Sequence, residues 1–343
     1  MDDSIFEMQV ARAMHRIEDL YNRTAGQCFL SFSGGKDSTI VLQLVKLCEE
    51  LGTIPKNAIP AVFCDTKIEL GATVEFVKWV QAGWYGNVQI IQTEMLFPHV
   101  LKKHGKPILS KMKSELLRRY QKDSKMKSAQ MLFSNGYTTR LANKHMHILH
   151  PDFDIKISNA CCEEMKKKPF KRYVKAHGML GYMTGERQAE GGARALNFAK
   201  RGGNICTKIN KAGLIIKNPI VDWDEEMCSE FVRRYAVPLS RAYTDYGLQR
   251  TGCFCCPFAR DLEKNLDVLR QYEPNRYKAA LFYLGDVYIA QGVQLPLDAD
   301  YMAKYAEKWT EYDTMRQEML EKHRPGCQLL ACGRAKEGDP CDS

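Results

Sequence analysis

The chain has 343 residues, 45% of them hydrophobic and 27% charged, and its 50 Lys and Arg against 41 Asp and Glu give a formal net charge of +9. This composition is typical of a globular protein and excludes disordered and collagen-like chains. No apolar run approaches the roughly 18 residues of a membrane span, so no membrane partner is expected. The acidic, amphipathic N-terminal stretch is typical of neither a secretory signal nor a basic transit peptide, which favours a cytoplasmic location.

The first hundred residues alternate predicted helices and strands. Apolar spacing and short links predict, in order, a helix over 4–24, a strand over 28–32, a helix over 39–51, a strand over 59–64, a helix over 72–81 and a strand over 88–93. This alternation predicts an α/β fold, in which a parallel twisted sheet carries helices on both faces. Ligands of such sheets bind beyond the carboxyl ends of the strands, where the polar stretches 33–38 and 65–69 both fall.

The remaining elements are less regular. They are a basic insertion over 101–150, a returning strand within 179–187, a strand over 214–220, a helix over 223–236 and helices from 256 to about 323. Three regions are therefore expected. They are an N-terminal helix over 1–24, a main domain over 25–260 that carries the insertion, and a helical C-terminal region over 261–343 that ends in an irregular tail.

Two basic runs, 101–128 and 166–175, are open to two interpretations. The first run alone holds ten Lys or Arg against two acidic residues. A run of this kind is most often a solvated helix face. The functional alternative is a contact surface for a polyanion, either a nucleotide or a nucleic acid.

The stretch SGGKDS follows the first strand and leads into the second helix. Gly34 and Gly35 lack a β-carbon, so the backbone can turn tightly and direct consecutive N–H groups at an anion. Ser38 lies near the helix start, where free N–H groups and the helix dipole favour phosphate. Lys36 adds a positive charge, whereas Asp37 would repel phosphate unless a cation bridges them, which indicates Mg²⁺. A Walker A loop and a dinucleotide fingerprint are excluded, because their glycines are missing at the required offsets.

SFSGGKDST resembles the PP-loop of the N-type ATP pyrophosphatases, which split ATP between the α and β phosphates and pass AMP to an acceptor. Further segments are similar to the phosphoadenosine phosphosulfate (PAPS) reductase-like branch of these enzymes: CDTKIELGATVEFVKWV at 64–80, GYMTGERQAEGGAR at 181–194, and the run 218–258. The resemblance covers about 25–260 and implies an adenine nucleotide alpha hydrolase-like fold that binds ATP. The site residues that it implies are Lys36, Asp37 and Asp65 in catalysis, and Ser33, Gly34, Gly35, Lys36, Asp37, Ser38, Glu186, Arg187 and Arg194 as nucleotide ligands.

The chain has 13 cysteines, and without a signal peptide they predict reduced thiols rather than a disulfide framework. Cys161-Cys162 and Cys253-x-x-Cys256 offer four thiolates, which suit either tetrahedral zinc or an iron–sulfur cluster. A Cys-Cys pair followed far downstream by Cys-x-x-Cys resembles the assimilatory sulfonucleotide reductases. This resemblance implies a [4Fe–4S] cluster held by these four residues.

The other cysteines and the histidines are given plainer interpretations. Cys255 is a substitute ligand, and Cys206 is a further candidate thiol near the site. Four cysteines on apolar patterns are predicted to be small core residues: Cys28, Cys48, Cys64 and Cys228. The histidines of HMHILH at 145–150 are interpreted as ordinary surface or core residues, because neither a carboxylate nor a cysteine accompanies them.

The intact loop favours an ATP-consuming enzyme, because sulfonucleotide reductases commonly lose its lysine or second glycine. The resemblance to cluster-bearing thiolation enzymes and DNA phosphorothioation sulfurtransferases implies that the activated acceptor then receives sulfur. The predicted partners are an adenine nucleotide, a nucleic-acid acceptor for the basic segment, a sulfur-donor protein and a second copy of the chain in a homo-oligomer.

Two other functions stay open. A sulfonucleotide reductase would bind its nucleotide in the same loop and use Cys332 as the nucleophile. Its phosphate or sulfate ligands would be Arg187, Arg194 and Arg201. Cys332 departs from the Glu-Cys-Gly-x-His motif of those enzymes, since no glutamate precedes it and Ala335 stands in place of the histidine. The third function is a non-catalytic nucleotide or nucleic-acid binding module with a structural cluster.

Overall fold

A computed structural model of the protein describes residues 2–134, 139–191, 198–199 and 206–323. The chain divides into two compact units. The first unit comprises Met1–Val100, Cys161–Cys255 and Val268–Tyr277, and the second comprises Leu101–Ala160, Cys256–Asp267 and Lys278–Ser343. No helix in the described part of the chain is long and apolar enough to cross a bilayer.

The first unit is built on a six-stranded sheet of order β3-β2-β1-β4-β6-β5. Its strands are β1 (Cys28–Ser31), β2 (Ala61–Asp65), β3 (Val88–Gln92), β4 (Gly181–Met183), β5 (Thr207–Ile209) and β6 (Ile215–Lys217). The first four strands and β6 run parallel, as the sequence predicts. The strand β5 was not predicted and runs antiparallel to β6. A tight turn at Asn210 joins these two strands, and so short a link permits only the antiparallel arrangement.

Helices cover both faces of this sheet, which confirms the predicted fold class. On one face, Cys28 and Leu30 of β1 join a buried core with α1 (Asp3–Arg23), α2 (Lys36–Glu50), α3 (Gly71–Trp79) and α7 (Glu225–Arg234). On the other face, Phe29 packs against α6 (Lys168–Ala176). Its ring stacks on Phe170 and meets Tyr173 edge-on. Successive β1 residues therefore supply two separate cores, as a strand covered on both sides requires.

Several predicted boundaries differ from those in the structure. Helix α2 begins at Lys36 rather than at residue 39, so the lysine belongs to its first turn. Helix α3 ends at Trp79 and continues as a single π-helical turn, Val80–Trp84. The returning strand is only Gly181–Met183, and residues 184–187 beyond it form a loop.

The second unit is helical. Its elements are α4 (Phe97–His104), α5 (Lys111–Lys122), 3₁₀ turns at Ala129–Leu132 and Asn143–Leu149, α9 (Leu262–Tyr272), α10 (Pro274–Gln291) and α11 (Ala299–Lys322), where the ends of α4, α9 and α10 extend into the first unit. The short helix α8 (Arg241–Thr244) lies in the first unit. The basic segment and the C-terminal helices both belong to this one unit, although the sequence analysis predicts separate regions for them. The buried His147 joins them, because its Nε2 lies 2.9 Å from the carbonyl oxygen of Ala290 and its ring stacks on Tyr312.

Candidate functional site

The loop 33–38 joins β1 to α2, and its glycines are required by geometry. Gly34 has φ +67, in the left-handed region. A β-carbon there would lie 2.8 Å from Cγ2 of Val77 and 2.9 Å from Cγ2 of Thr73, both on α3. A β-carbon on Gly35 would lie 2.9 Å from Oγ1 of Thr251. Both positions therefore need glycine, one for its backbone conformation and both for the close approach of neighbouring side chains.

Hydrogen bonds within the loop fix its shape. The hydroxyl of Ser38 donates to the carbonyl of Gly35 at 2.9 Å, and the amide of Ser33 donates to the same hydroxyl at 3.2 Å. The amide of Lys36 donates to the hydroxyl of Tyr243 on α8 at 3.0 Å. The loop is thus held in its turn by Ser38, while Tyr243 occupies one amide that was expected to face phosphate.

Two positive and two negative side chains meet at this loop. The ammonium group of Lys36 contacts the carboxylate of Glu225, the first residue of α7. The guanidinium of Arg187 donates from Nε to Asp37 at 3.1 Å and from Nη2 to Glu225 at 2.9 Å. Its Nη1 also donates to the carbonyl of Trp223 at 3.4 Å. Arg187 is therefore a buried anchor between α2 and α7 and lies beside the loop, as its predicted role requires.

Burial and ion pairing act in opposite directions on the two carboxylates. Burial raises the pKa of Asp37 above its usual value, although the charges of Arg187 and Lys36 oppose this effect. Burial also acts to raise the pKa of Glu225, but hydrogen bonds from Lys36 and Arg187 outweigh it and the pKa is lowered. Glu225 therefore stays ionised more firmly than Asp37 in this network.

The loop 184–187, which follows β4, packs directly against the loop 33–38. A β-carbon on Gly185 would lie 2.7 Å from the carbonyl carbon of Asp37 and 2.9 Å from the amide nitrogen of Ser38. These are backbone atoms, which cannot rotate away as a side chain can. The following residue, Glu186, is partly exposed, and its amide donates to the hydroxyl of Thr184 at 3.4 Å. The predicted ligand Arg194 and the arginine at position 201 lie outside the described residues.

Asp65 ends β2 at the same edge of the sheet and is buried. Its carboxylate accepts from the backbone amide of Lys67 at 3.0 Å and pairs with the ammonium group of the same residue at 2.5 Å. Among the residues described, no hydrogen bond or ion pair links Asp65 to Asp37. The two carboxylates proposed to organise Mg²⁺ therefore have separate partners here.

Three residues of the network were missed by sequence reasoning: Glu225, Tyr243 and Thr251. All three lie in the stretch 218–258 that carries the family resemblance, but their contacts with the loop span about two hundred residues of sequence. A glutamate at the first position of a predicted helix is an ordinary first-turn residue. The signal available in the sequence was that Glu225 ends the run Trp223-Asp224-Glu225, which lies in the segment of family resemblance.

The predicted cluster ligands are divided between the two units, with three in the first and one in the second. In the first unit, the charges of Cys162 and Lys166 both act on the buried thiol of Cys253, whose pKa burial raises. The backbone of Cys253 pairs with Glu69, and the ammonium group of Lys166 lies 3.2 Å from the carboxylate of Glu69. Cys161 precedes Cys162 in this unit, whereas Cys256 belongs to the second. Within the described ranges, no group of three or more His, Cys, Asp or Glu side chains could hold a metal ion.

The prediction that four cysteines are core residues is confirmed. The four predicted core cysteines are buried, and burial raises the thiol pKa to about 11 for Cys28 and to about 12 for Cys48, Cys64 and Cys228. Cys255 is buried as well, while Cys206 is partly exposed at the start of β5. The histidines of the 145–150 stretch that face the interior are His145 and His147.

The two basic runs differ in how their charges are balanced. In the run 166–175, lysines and arginine pair with acidic side chains: Lys166 with Glu69, Lys167 and Lys171 with Glu163, Lys168 with Glu164, and Arg172 with Glu94. In the run 101–128, six exposed lysines have no ion-pair partner among the described residues: Lys102, Lys103, Lys111, Lys122, Lys125 and Lys127. Most of the basic side chains of the run 166–175 are thus paired within the protein, whereas these six lysines of the run 101–128 are not.

Residues 27–126 and 92–259 match the family model described as the phosphoadenosine phosphosulfate reductase domain. The chain belongs to this family. The PAPS reductase domain thus covers the loop, the Arg187 network and the segment that carries Cys253 and Cys256.

Similar proteins extend this comparison. An uncharacterized protein of Methanocaldococcus jannaschii is 24% identical over 235 residues, which are 68% of this chain and 42% of that protein. The chain thus spans less than half the length of this relative. A crystal structure of PAPS reductase from Candida auris in a phosphate complex aligns with a TM-score of 0.42 and 16% identity, over 74% of this chain and 96% of that one. FMN adenylyltransferase from Candida glabrata, in complex with FMN and an ATP analogue, aligns with a TM-score of 0.42 and 12% identity, over 74% of this chain and 66% of that one. At these scores, neither alignment carries the argument for the site.

Proposed function

We propose that this PAPS reductase-domain protein is an enzyme that binds ATP at the loop 33–38 and activates an acceptor for sulfur transfer. An acceptor oxygen would attack the α-phosphorus, the bond to the bridging oxygen would break, and pyrophosphate would leave with that electron pair. The adenylated acceptor would then lose AMP to a sulfur nucleophile. The observation that supports this proposal is the intact strand-to-helix loop, whose lysine and buried arginine offer two cations beside a helix N-terminus.

The charged residues in and beside the loop have separate proposed roles. The ammonium group of Lys36 and the free backbone amides would hold the β and γ phosphates, so that charge developing on pyrophosphate is neutralised. Asp37 and Asp65 are the proposed ligands of Mg²⁺, which would supply further positive charge when bound. Arg187 would keep Asp37 in place through its 3.1 Å hydrogen bond.

The family membership also favours a second candidate, a sulfonucleotide reductase. In that case the loop would bind PAPS or adenosine phosphosulfate, and the thiolate of Cys332 would attack the sulfur while the nucleotide phosphate leaves with the electrons of the broken S–O bond. A thiol reductant would then attack the sulfur atom of Cys332, which releases sulfite and leaves a mixed disulfide. Cys332 lies outside the described residues. A binding module without turnover is the third outcome that the experiments must separate.

Product analysis distinguishes these functions. The protein is incubated with ATP, Mg²⁺ and candidate acceptors, and AMP and pyrophosphate are quantified; a parallel reaction supplies PAPS with reduced thioredoxin and measures sulfite. The proposal predicts AMP and pyrophosphate from the wild type and none from Lys36→Met. A matched control is Lys46→Met, which removes a lysine from the same helix at a position over the ring of Trp84. Sulfite formation without ATP cleavage would establish the reductase instead.

A nucleic-acid acceptor is supported by the unpaired lysines of the second unit. A polyanion releases counter-ions when it binds such a surface, so its affinity falls steeply with salt. Replacing Lys111, Lys122 and Lys125 by Gln should weaken binding of a DNA or RNA oligonucleotide and flatten its salt dependence. The same three substitutions at Lys167, Lys168 and Lys171, which already have acidic partners, provide the control.

The remaining partners and the cluster are proposals with direct tests. The closeness of Cys162 and Cys253 supports a thiolate site in this part of the first unit. Anaerobic purification followed by iron, sulfide and zinc analysis decides between a [4Fe–4S] cluster and zinc. A sulfur-donor protein would be detected by transfer of labelled sulfur to the acceptor, and sedimentation analysis would show whether the chain forms a homo-oligomer.

A further inference from the structure

The charges around the loop cancel. Lys36 and Arg187 carry two positive charges, and Asp37 and Glu225 carry two negative charges within the same network. A phosphate group that entered this arrangement would meet a formally neutral site with a carboxylate already seated on the lysine. Binding would therefore require one of the two carboxylates to move away from the cation with which it is paired.

The two carboxylates differ in how firmly they are held. The side chain of Glu225 is 65% exposed, whereas that of Lys36 is 17% exposed and that of Arg187 is 7% exposed. Asp37 is more enclosed, at 26% exposure, and Gly185 of the loop after β4 packs against its backbone. Within the described part of the chain, the hydrogen bonds of the Glu225 side chain go to the two cations alone. Glu225 can therefore turn into solvent and be rehydrated, while Lys36 and Arg187 remain in place.

We propose that Glu225 is an exchangeable counter-ion, which neutralises Lys36 in the unliganded protein and is replaced there by a phosphate group. Identifying that phosphate as part of ATP rests on the proposed function. When Glu225 leaves, the loop gains one net positive charge at the moment of binding, and Arg187 keeps its bond to Asp37. Every anion must compete with Glu225 for the lysine. A pyrophosphate group can do so with several oxygens and more charge, whereas a nucleoside monophosphate competes less well. Glu225 thus sets the affinity that a phosphate ligand must exceed in order to take its place on Lys36.

Binding of inorganic pyrophosphate, ATP and AMP to Glu225→Gln tests this role by isothermal titration calorimetry. Glutamine keeps the size of the side chain but not its charge, so it no longer competes for Lys36. A half-exposed ion pair is worth up to about 1 kcal/mol, which corresponds to about fivefold in affinity. We expect pyrophosphate and ATP to bind about fivefold more tightly to the variant. AMP should gain at most as much, because an anion that does not displace Glu225 from Lys36 gains nothing when the carboxylate is removed.

Two controls isolate the exchange. Glu226→Gln makes the same change in net charge one residue further along α7 and should leave all three affinities unchanged. In the double variant that combines Lys36→Met with Glu225→Gln, the gain in affinity produced by Glu225→Gln should disappear. The lysine for which glutamate and phosphate compete is then missing. Melting temperatures of all variants show that the fold is retained.

The outcomes separate this inference from the proposed reaction. Unchanged or weaker pyrophosphate binding by Glu225→Gln overturns the inference even if ATP is cleaved. Tighter pyrophosphate binding without formation of AMP supports the inference and removes the ATP pyrophosphatase proposal. If neither the wild type nor the variant binds pyrophosphate or ATP, both are wrong.

Discussion

The change Gly34→Ala tests whether the loop conformation is fixed by packing on α3. At φ +67, a residue with a β-carbon is strained by roughly 1–2 kcal/mol. The new methyl group would also lie 2.8 Å and 2.9 Å from the Cγ2 atoms of Val77 and Thr73, and overpacking of this kind adds about 1–3 kcal/mol. The alanine also restricts the unfolded chain, which returns roughly 0.4–1 kcal/mol. We therefore expect the free energy of unfolding of the first unit to fall by about 1–5 kcal/mol.

Gly52→Ala is the matched control, because Gly52 also has positive φ, +73, but no atom lies within 4 Å of the position that a β-carbon would take there. It should lose only about 1 kcal/mol, since the conformational strain is shared and the overlap is absent. Hydrogen exchange of the amides in β1 and β2 reports the free energy of unfolding of this unit. If the two variants lose the same amount, within about 0.5 kcal/mol, packing against α3 does not fix the loop.

Three further predictions concern other parts of the two units. A β-carbon at position 185 would lie 2.7 Å from the carbonyl carbon of Asp37 and would push that backbone away, so Gly185→Ala should weaken ATP binding at least about tenfold in calorimetry. Wild-type affinity for ATP in this variant would contradict the prediction. Glu273→Ala should destabilise α3 by about 1–3 kcal/mol, measured as faster hydrogen exchange in that helix, since the carboxylate accepts from its first two amides at 2.9 Å and 3.1 Å; unchanged exchange would show that these bonds contribute nothing. Burial lowers the pKa of His145 to about 3 and of His147 to about 4, so the unfolded chain binds more protons than the folded chain below pH 6.5. The free energy of unfolding of the second unit should therefore fall by up to about 1.4 kcal/mol per histidine for each pH unit between 6.5 and about 4. A free energy of unfolding of α11 that is the same at pH 7 and pH 5, once the exchange rates are corrected for the intrinsic pH dependence of amide exchange, would contradict this.

The sequence predicts the parallel core of the fold well, because its signals are local. Strands such as β2 are continuous apolar runs, and the amphipathic helices between them follow from the spacing of apolar residues. The strand β5 carries no such signal: Thr207–Ile209 has three residues, two of them exposed, and depends on its pairing with β6. Its existence follows from tertiary contacts that a periodicity argument does not include.

In the candidate site, too, the residues that could be predicted are those with a local sequence signal. The loop glycines and Lys36 could be identified because the bend, the helix start and the phosphate chemistry lie within six consecutive residues. Glu225 could not, since its importance comes from meeting Lys36 across 189 positions of the chain. The role of Arg187 was also only half predicted. The resemblance named it as a nucleotide ligand, whereas its buried bonds to Asp37 and Glu225 make it the residue that joins the two parts of the site.

The central claim is that the loop 33–38 holds the polyphosphate of a nucleotide. The most direct measurement is the affinity of the wild type and of Lys36→Met for ATP with Mg²⁺, by calorimetry at a fixed salt concentration. Loss of a charge-assisted hydrogen bond is worth about 1.5–3 kcal/mol, so the account predicts a loss of roughly 10- to 150-fold in affinity, with the melting temperature retained. Equal affinity of the two proteins for ATP would contradict the account.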